Sequence, residues 1–342
     1  MRIILLGFGV VGRALARLLL EEGERLAKRR GFRPIVVGVA DSLGAAYDEG
    51  GLDMLEVLGA KERYGTVSKS SSGVRGMTGL ELLGTVYADV VVEVTPTNLG
   101  DGEPGLTHIR EALKSGMSVV TSNKGPLALA MPALMELARH RGAVLRFSGT
   151  VGGGTPVLDY GRRLSAGDYI EGVEGILNGT TNYILTRMTE GLEFQEALRE
   201  AQERGYAERD PSMDLEGLDS ACKLVIMANY VLGLKATLRD VEVKGIGGVT
   251  REEVAEAYHR DYAVKLVASI REDKLKVEPR EVPRRSPLCV WGVLNAVTFK
   301  CRRLGEQTVV GRGAGGVETA LSIIRDLAEV KRNLSGSLGG WA

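Results

Sequence analysis

The chain has 342 residues, with 44 Lys and Arg against 44 Asp and Glu and a hydrophobic share of 44%, enough for two domains with cores of their own. That charge balance, with no basic patch interleaved with aromatics, argues against nucleic acid or an anionic membrane as partner. No stretch reaches the roughly 18 apolar residues of a membrane helix, and the first apolar run stops at Gly7 without a cleavage-site pattern, so a cytoplasmic protein is expected.

Residues 1–6 read as a short buried strand that runs into GFGVVGR, where Gly7, Gly9 and Gly12 form G-x-G-x-x-G before a helical run over 14–22. Strand, glycine turn and helix start are the context in which this pattern binds a dinucleotide: the glycines let the backbone approach a pyrophosphate, and the N–H groups of the helix start attract its charge. The backbone of Gly7, Phe8, Gly9, Val10, Val11 and Gly12 is the expected cradle. A second strand over 35–40 ends at Asp41, placed to accept from an adenosine ribose, which favours NAD. Lys61 and Arg63 are near enough in sequence to reach a 2′-phosphate, so NADP stays open. Residues 52–58 look helical, and the Ser-rich segment 68–73 looks like a surface loop.

A buried strand over 88–94 ends in Thr95, Pro96, Thr97 and Asn98, and another over 118–121 ends in Ser122, Asn123 and Lys124. Ligands of open α/β sheets lie at such strand ends, so Thr95, Pro96 and Lys124 are candidates for the nicotinamide side. Helices over 107–115 and 132–141 and a strand over 143–148 complete an alternating series, which predicts a doubly wound parallel sheet.

From Gly149 the pattern changes. A glycine turn at 152–154 precedes a helix over 157–166, and runs at 170–177, 262–270, 274–282 and 288–298 read as strands of a mainly antiparallel sheet. A last helix is expected over 316–333, after the turn GRGAGG, packing back on the first domain. The domains are therefore drawn as 1–147, completed by 306–333, and 148–305, with a tail over 334–342.

The most informative stretch is GYAERDPSMDLEGLDSACKLVIMAN, from Gly205 to Asn229. Asp219 and Lys223 lie four apart on an otherwise apolar helix and share one face. Charges survive there only if paired or used. Glu208, Asp210 and Asp214 crowd the approach, which suits a small substrate with an amine and a group that exchanges a proton.

Together these motifs resemble homoserine dehydrogenase. The resemblance rests on GFGVVGR, TSNKGPLA, SGTVGGGTP, EGILNGTTNYIL, GYAERDPSMDLEGLDSACKL and GRGAGGVETA, in the family's order from Met1 to about Asn333. It implies a Rossmann-type domain joined to an α+β catalytic and dimerisation domain. It further implies a cytoplasmic homodimer that uses NAD(P)(H) to reduce L-aspartate 4-semialdehyde reversibly to L-homoserine, toward threonine, methionine and isoleucine. By the same resemblance Lys223 is the proton donor and acceptor, Glu208 and Asp219 hold the substrate, Asp214 is an auxiliary acid, Lys124 touches cofactor and substrate, and Gly205 and Gly315 lie on the cofactor side. The carbonyls of Ser148, Val151, Gly153 and Thr155 correspond to a monovalent cation site, usually sodium, although Ser148 stands where many members carry an acid. Longer members add a C-terminal regulatory domain or a fused kinase, and at this length neither is expected.

The residues support this chemistry without the resemblance. Hydride delivered to an aldehyde carbon leaves an alkoxide that a lysine ammonium neutralises, typically worth about 10²- to 10⁴-fold in rate. Asp219 would orient that lysine or hold the substrate amine. A dehydrogenase working through a thiohemiacetal needs a cysteine beside a base; Cys222 lies in the apolar helix, and Cys289 and Cys301 have no histidine near in sequence. Three scattered cysteines also exclude a disulfide framework or zinc site, and Cys301 is left as a stray thiol or an intersubunit bridge. A non-catalytic nucleotide sensor is the remaining alternative.

Overall fold

The computed structural model describes Met1–Leu334; the Gly-rich tail from Ser335 on lies outside the described residues. The chain divides into two compact units, Met1–Thr150 with the segment from Gly315 on, and Val151–Ala314. Among the described residues no helix is long and apolar enough to cross a membrane.

The first unit is built on seven strands: β1 (Arg2–Leu6), β2 (Ile35–Asp41), β3 (Gly44–Tyr47), β4 (Gly73–Arg75), β5 (Val90–Glu93), β6 (Ser118–Thr121) and β7 (Leu145–Arg146), in the order β4-β3-β2-β1-β5-β6-β7. β1 pairs in parallel with both β2 and β5, and β6 and β7 continue the parallel sheet, whereas β3 and β4 add an antiparallel edge. The order reverses at β1, so the switch point, where such sheets bind ligands, falls between the carboxyl ends of β1 and β5. Parallel strands are buried on both faces and read as continuous apolar runs: Ile3 to Leu6 and Val90 to Val92 are all fully buried. Helix α1 (Val10–Arg30) and the C-terminal helix (Gly316–Leu334) cover one face with Leu15, Leu19, Ile323, Leu327 and Val330. Helices α2 (Met54–Tyr64), α3 (Gly79–Thr85), α4 (Gly105–Lys114) and α5 (Lys124–His140) complete the unit.

The second unit contains β8 (Ile170–Ile176), β9 (Val241–Val243), β10 (Tyr262–Arg271), β11 (Lys274–Pro283), β12 (Leu294–Cys301) and β13 (Gly305–Arg312), ordered β13-β12-β8-β10-β11-β9, antiparallel except for the β9–β11 pair. Its helices are α6 (Val157–Gly167), α7 (Gly179–Thr189), α8 (Phe194–Glu203), the single turn α9 (Ser212–Leu215), α10 (Leu218–Val231) and α11 (Arg251–His259). A methyl on Gly161 of α6 would meet the Phe299 ring of β12 at 2.8 Å, so this helix lies close on the sheet.

Several sequence expectations change here. The segment 306–333 does not belong wholly to the first unit: Gly305–Arg312 pairs with β12 over its full length, and the return to the first unit begins at Gly315. The apolar run 288–293 is core rather than strand, since Leu288, Cys289 and Val290 are buried in a turn that ends at Gly292, with φ +61. Ser68 and Ser70 are buried and not on a surface loop, because the hydroxyls of Ser68 and Thr66 pair with each other and Ser70 donates to Val67 O. Helix α5 starts at Lys124 instead of 132, with a kink at Ala130 just before Pro132, as the ring of a proline inside a helix demands.

Candidate active site

In the first unit the glycine turn is shaped by close approach. Gly7 has φ +99, and a methyl on it would meet Val94 O at 2.6 Å and Thr95 N at 2.8 Å; one on Gly12 would meet Gly7 O at 2.3 Å. The ends of β1 and β5 are thus pressed together at the switch point. Gly9 has open space where a side chain would stand and forms the N-cap of α1 without a side-chain bond. The first amides of that helix have no intrahelical acceptor, which is the arrangement that binds a pyrophosphate. Val10 is 68% exposed, but Phe8 is core at 1% and Val11 packs on the same core, so Phe8 and Val11 offer a ligand their backbone alone. Gly315 has φ +127, and a methyl on Gly316 would meet Val10 Cγ1 at 2.7 Å, which brings the start of the C-terminal helix against the glycine turn.

Asp41 closes β2, where the sequence puts it, and is engaged within the protein. Its carboxylate accepts from Lys61 Nζ at 2.8 Å, Leu43 N at 2.9 Å, Val67 N at 2.9 Å and Thr66 Oγ1 at 3.1 Å. Burial raises its pKa, but the Lys61 ion pair and the two amides outweigh that and hold it below the ordinary value. All four acceptor positions of the carboxylate are used inside the protein. Thr95 and Pro96 lie at the end of β5, and Lys124 is the first residue of α5, capped by Asn123.

In the second unit, the strand β8 delivers Leu177 and Asn178 to the base of α7, beside the start of α10. Residues Asp219 to Ala228 of α10 are all buried; Lys223 is 6% exposed and Asp219 9%. Lys223 Nζ donates to Asp219 Oδ2 at 2.7 Å and to Leu177 O at 2.6 Å. Asn178 caps α7 by accepting from Thr181 N at 2.8 Å, and its Nδ2 donates to Asp219 Oδ2 at 2.9 Å and to Asp214 Oδ1 at 2.6 Å. Asp214 is raised above the ordinary carboxylate value by burial and then by the charge of Asp219; hydrogen bonds from Asn178 and Thr180 and the charge of Lys223 act the other way. Asp219 therefore meets the ammonium directly, and Asp214 is joined to it through Asn178.

Asn178 and Thr180 were not singled out in the sequence. Their signal was NGTTN directly after a buried strand, with the asparagine at a helix start. Glu208 is exposed, with its carbonyl accepting from Gln202 Nε2 at 3.2 Å, and Gly205 is exposed on the turn closing α8. Neither bonds to Lys223, Asp219, Asp214 or Asn178 in the contacts above.

Among the described residues no cluster of three or more His, Cys, Asp or Glu is arranged to hold a metal. The loop 148–155 instead offers neutral oxygens. The Ser148 hydroxyl is buried without a partner, Val151 is fully buried, Gly153 has φ +53 and a methyl on it would meet the Gly313 carbonyl carbon at 2.8 Å, and Thr155 O accepts from Val157 N at 2.8 Å. Cys222 is fully buried in α10, and burial pushes the Cys289 and Cys301 thiols up.

A glycine turn of the dinucleotide-binding kind at the switch point of one unit and a buried lysine–carboxylate network in the other are features of a nicotinamide-dependent oxidoreductase. Comparison with known proteins agrees: residues 7–148 match the family model for the homoserine dehydrogenase NAD-binding domain, and residues 156–328 match the homoserine dehydrogenase model. The chain belongs to the homoserine dehydrogenase family. It is 46% identical to the homoserine dehydrogenase of Methanocaldococcus jannaschii, over 96% of this chain and 98% of that one. It is 38% identical to an NAD(+)-dependent homoserine dehydrogenase of Pseudomonas canavaninivorans, over 97% and 96%. A solved hyperthermophilic archaeal homoserine dehydrogenase in complex with NADPH superposes with a TM-score of 0.85 at 31% identity, covering 96% of this chain and 97% of its own.

Proposed function

We propose that this homoserine dehydrogenase interconverts L-aspartate 4-semialdehyde and L-homoserine with Lys223 as the group that gives and takes the proton at the substrate oxygen. The observation that carries this is the Lys223 hydrogen-bond set. Of three ammonium hydrogens, two go to Leu177 O and Asp219 Oδ2, which leaves the third for the reacting oxygen. The nicotinamide supplies or removes the hydride. In reduction Lys223 protonates the oxygen as negative charge develops there, and in oxidation it takes the proton back. Asp219 orients the ammonium. The Asp214 carboxyl, whose charge burial and Asp219 disfavour, fits the α-ammonium of an amino acid, since a cation there would stabilise its ionised form. Glu208 is assigned to the substrate on the resemblance alone.

The cofactor assignment places the pyrophosphate on Gly7 to Gly12 and the nicotinamide near Thr95, Pro96 and Lys124, with Gly205 and Gly315 as further cofactor contacts. Asp41 would serve the adenosine side through the loop it organises. Ser148, Val151, Gly153 and Thr155 would hold a monovalent cation: every donor is a neutral oxygen, which suits sodium or potassium and not a divalent ion. A homodimer formed through the second unit, and a place in threonine and methionine synthesis, complete the proposal.

The test is an initial-rate assay with L-homoserine and each oxidised nicotinamide in turn. Turnover is expected with L-homoserine and not with L-serine, whose hydroxyl is one carbon closer to the ammonium. Equal rates with the two would rule out the assigned substrate site.

A further inference from the structure

One buried carboxylate in the first unit has no place in the reaction as described. Glu93, the last residue of β5, is fully buried at 0% exposure. Its Oε1 accepts from Thr95 N at 2.9 Å and from the Thr95 hydroxyl, and its Oε2 accepts from Thr121 Oγ1 at 3.0 Å. Both hydroxyls are held from behind by Asn123. Thr121 Oγ1 accepts from Asn123 N at 3.0 Å, and Thr95 Oγ1 accepts from Asn123 Nδ2 at 3.2 Å. An ionised Glu93 has no hydrogen to give, so each hydroxyl, accepting from an Asn123 N–H on one side, donates to the carboxylate on the other. Two relays thus run from Asn123 to one acceptor, and such chains reinforce one another where water is excluded.

The relays end on the pieces assigned to the cofactor. Asn123 Nδ2 also reaches Pro96 O at 3.4 Å, and Asn123 Oδ1 caps α5 by accepting from Gly125 N at 3.1 Å. The arrangement is closed by α4: a methyl on Gly105 would come within 2.5 Å of Asn123 Nδ2 and 3.2 Å of Glu93 Oε2. Burial pushes the Glu93 carboxyl up, and the hydrogen bonds from Thr95, Thr121 and Asn123 oppose it. A group held at that cost is expected to be used.

We propose that Glu93 is a positioning residue, the shared acceptor that locks the Thr95–Pro96 turn to the Asn123 cap and so fixes Lys124 at the start of α5. This rests on the assignment of Thr95, Pro96 and Lys124 to the cofactor side.

Glu93→Gln tests it at almost constant volume. An amide offers one accepting oxygen and two donors, so one relay would face a donor with a donor. Thr121→Val removes the hydroxyl of the other relay, Thr121→Ser keeps it, and Lys124→Ala tests the underlying assignment. The readouts are steady-state constants with L-homoserine, NADH affinity by fluorescence, and the thermal midpoint. Glu93→Gln and Thr121→Val are expected to lower kcat/KM for the dinucleotide about tenfold at a nearly unchanged midpoint, with Thr121→Ser close to the parent enzyme. Parent-like constants in both variants while Lys124→Ala is impaired would overturn the positioning role alone. So would a loss that follows the folded fraction and that serine does not rescue. A parent-like Lys124→Ala would remove the assignment and the proposal with it. Should Glu93→Gln fail to fold, the two Thr121 variants decide.

Discussion

Asn178 Nδ2 lies 2.6 Å from Asp214 Oδ1 and 2.9 Å from Asp219 Oδ2, so one amide ties a half-buried acid to the partner of Lys223. Its oxygen is committed to capping α7, which settles which end of the side chain faces the carboxylates. The acids and the lysine are held as a unit before any substrate arrives, the kind of preorganisation that lets charge be stabilised as it develops.

Replacing Lys223 with Met should lower turnover by at least about 10²-fold, the scale of one lost general acid or base. The dinucleotide turn lies in the other unit, so NADH affinity should hold. Removing the ammonium leaves Asp219 buried without its cation, which commonly costs about 3–5 kcal/mol, and the thermal midpoint should fall as well. Single-turnover rates on the folded fraction separate the two effects. A near-normal rate there would dismiss Lys223 as the proton carrier.

Asp214→Asn should divide stability from binding. A carboxyl whose folded pKa is raised contributes stability below its unfolded value, near 3.8, and loses it as pH rises through the folded value. The neutral asparagine removes that loss and its oxygen can still accept from Asn178. The variant should therefore melt higher at pH 7 than the parent enzyme, by about 2–4 °C per kcal/mol gained, with the advantage closing as pH falls toward 4. Its KM for L-homoserine should rise about tenfold, since an ammonium would meet one charge less. A midpoint difference that does not vary with pH would contradict the stated cause.

The dinucleotide turn and the lysine on α10 were legible because each is local: glycines spaced after a strand, and two charges one turn apart in an apolar run. Asn178 was not, since its role depends on β8 ending beside α10, whose Asp219 lies 41 residues further along. Glu93 was hidden for a similar reason. A glutamate closing an apolar strand looks like its exposed end, and only the pairing of β5 with β6 brings Thr121 to it. β13 went unseen because its sequence carries glycines and polar residues, and its place is decided by pairing with β12. Asp41 sat where position along the chain put it, yet its partners Lys61, Thr66 and Val67 come from α2 and the turn after it.

That ring of partners gives a prediction about cofactor choice. Asp41→Ala would release Lys61, now held at 2.8 Å, and remove the anion next to it. The ratio of kcat/KM for NADP+ over NAD+ should rise about tenfold or more, equivalent to about 1.4 kcal/mol, because a cation would gain access to a 2′-phosphate. The double variant Asp41→Ala, Lys61→Ala should lose the gain. An unchanged ratio in the single variant would show that neither side chain discriminates the two cofactors.

The last prediction concerns a second buried amine. Lys265 on β10 is fully buried; its Nζ donates to Asn182 Oδ1 at 2.8 Å and lies 4.1 Å from the centre of the Trp291 ring. Burial brings its pKa down from 10.5 to about 8, with the nearby Cys289 acting slightly against that. Between the two values the unfolded chain binds more protons than the folded one, so stability from this group rises with pH across that window and is absent below it. The drop is worth roughly 3 kcal/mol over the full range. Comparison with Lys265→Met cancels every titration except those of Lys265 and of Cys289, whose thiol the ammonium lowers. The midpoint of the parent protein minus that of the variant should increase steadily from pH 7 to about pH 10, whatever its sign at pH 7, where the lost hydrogen bond and ring contact offset the charge that methionine no longer buries. A difference that stays level would mean that this amine is hydrated in solution and carries its proton throughout.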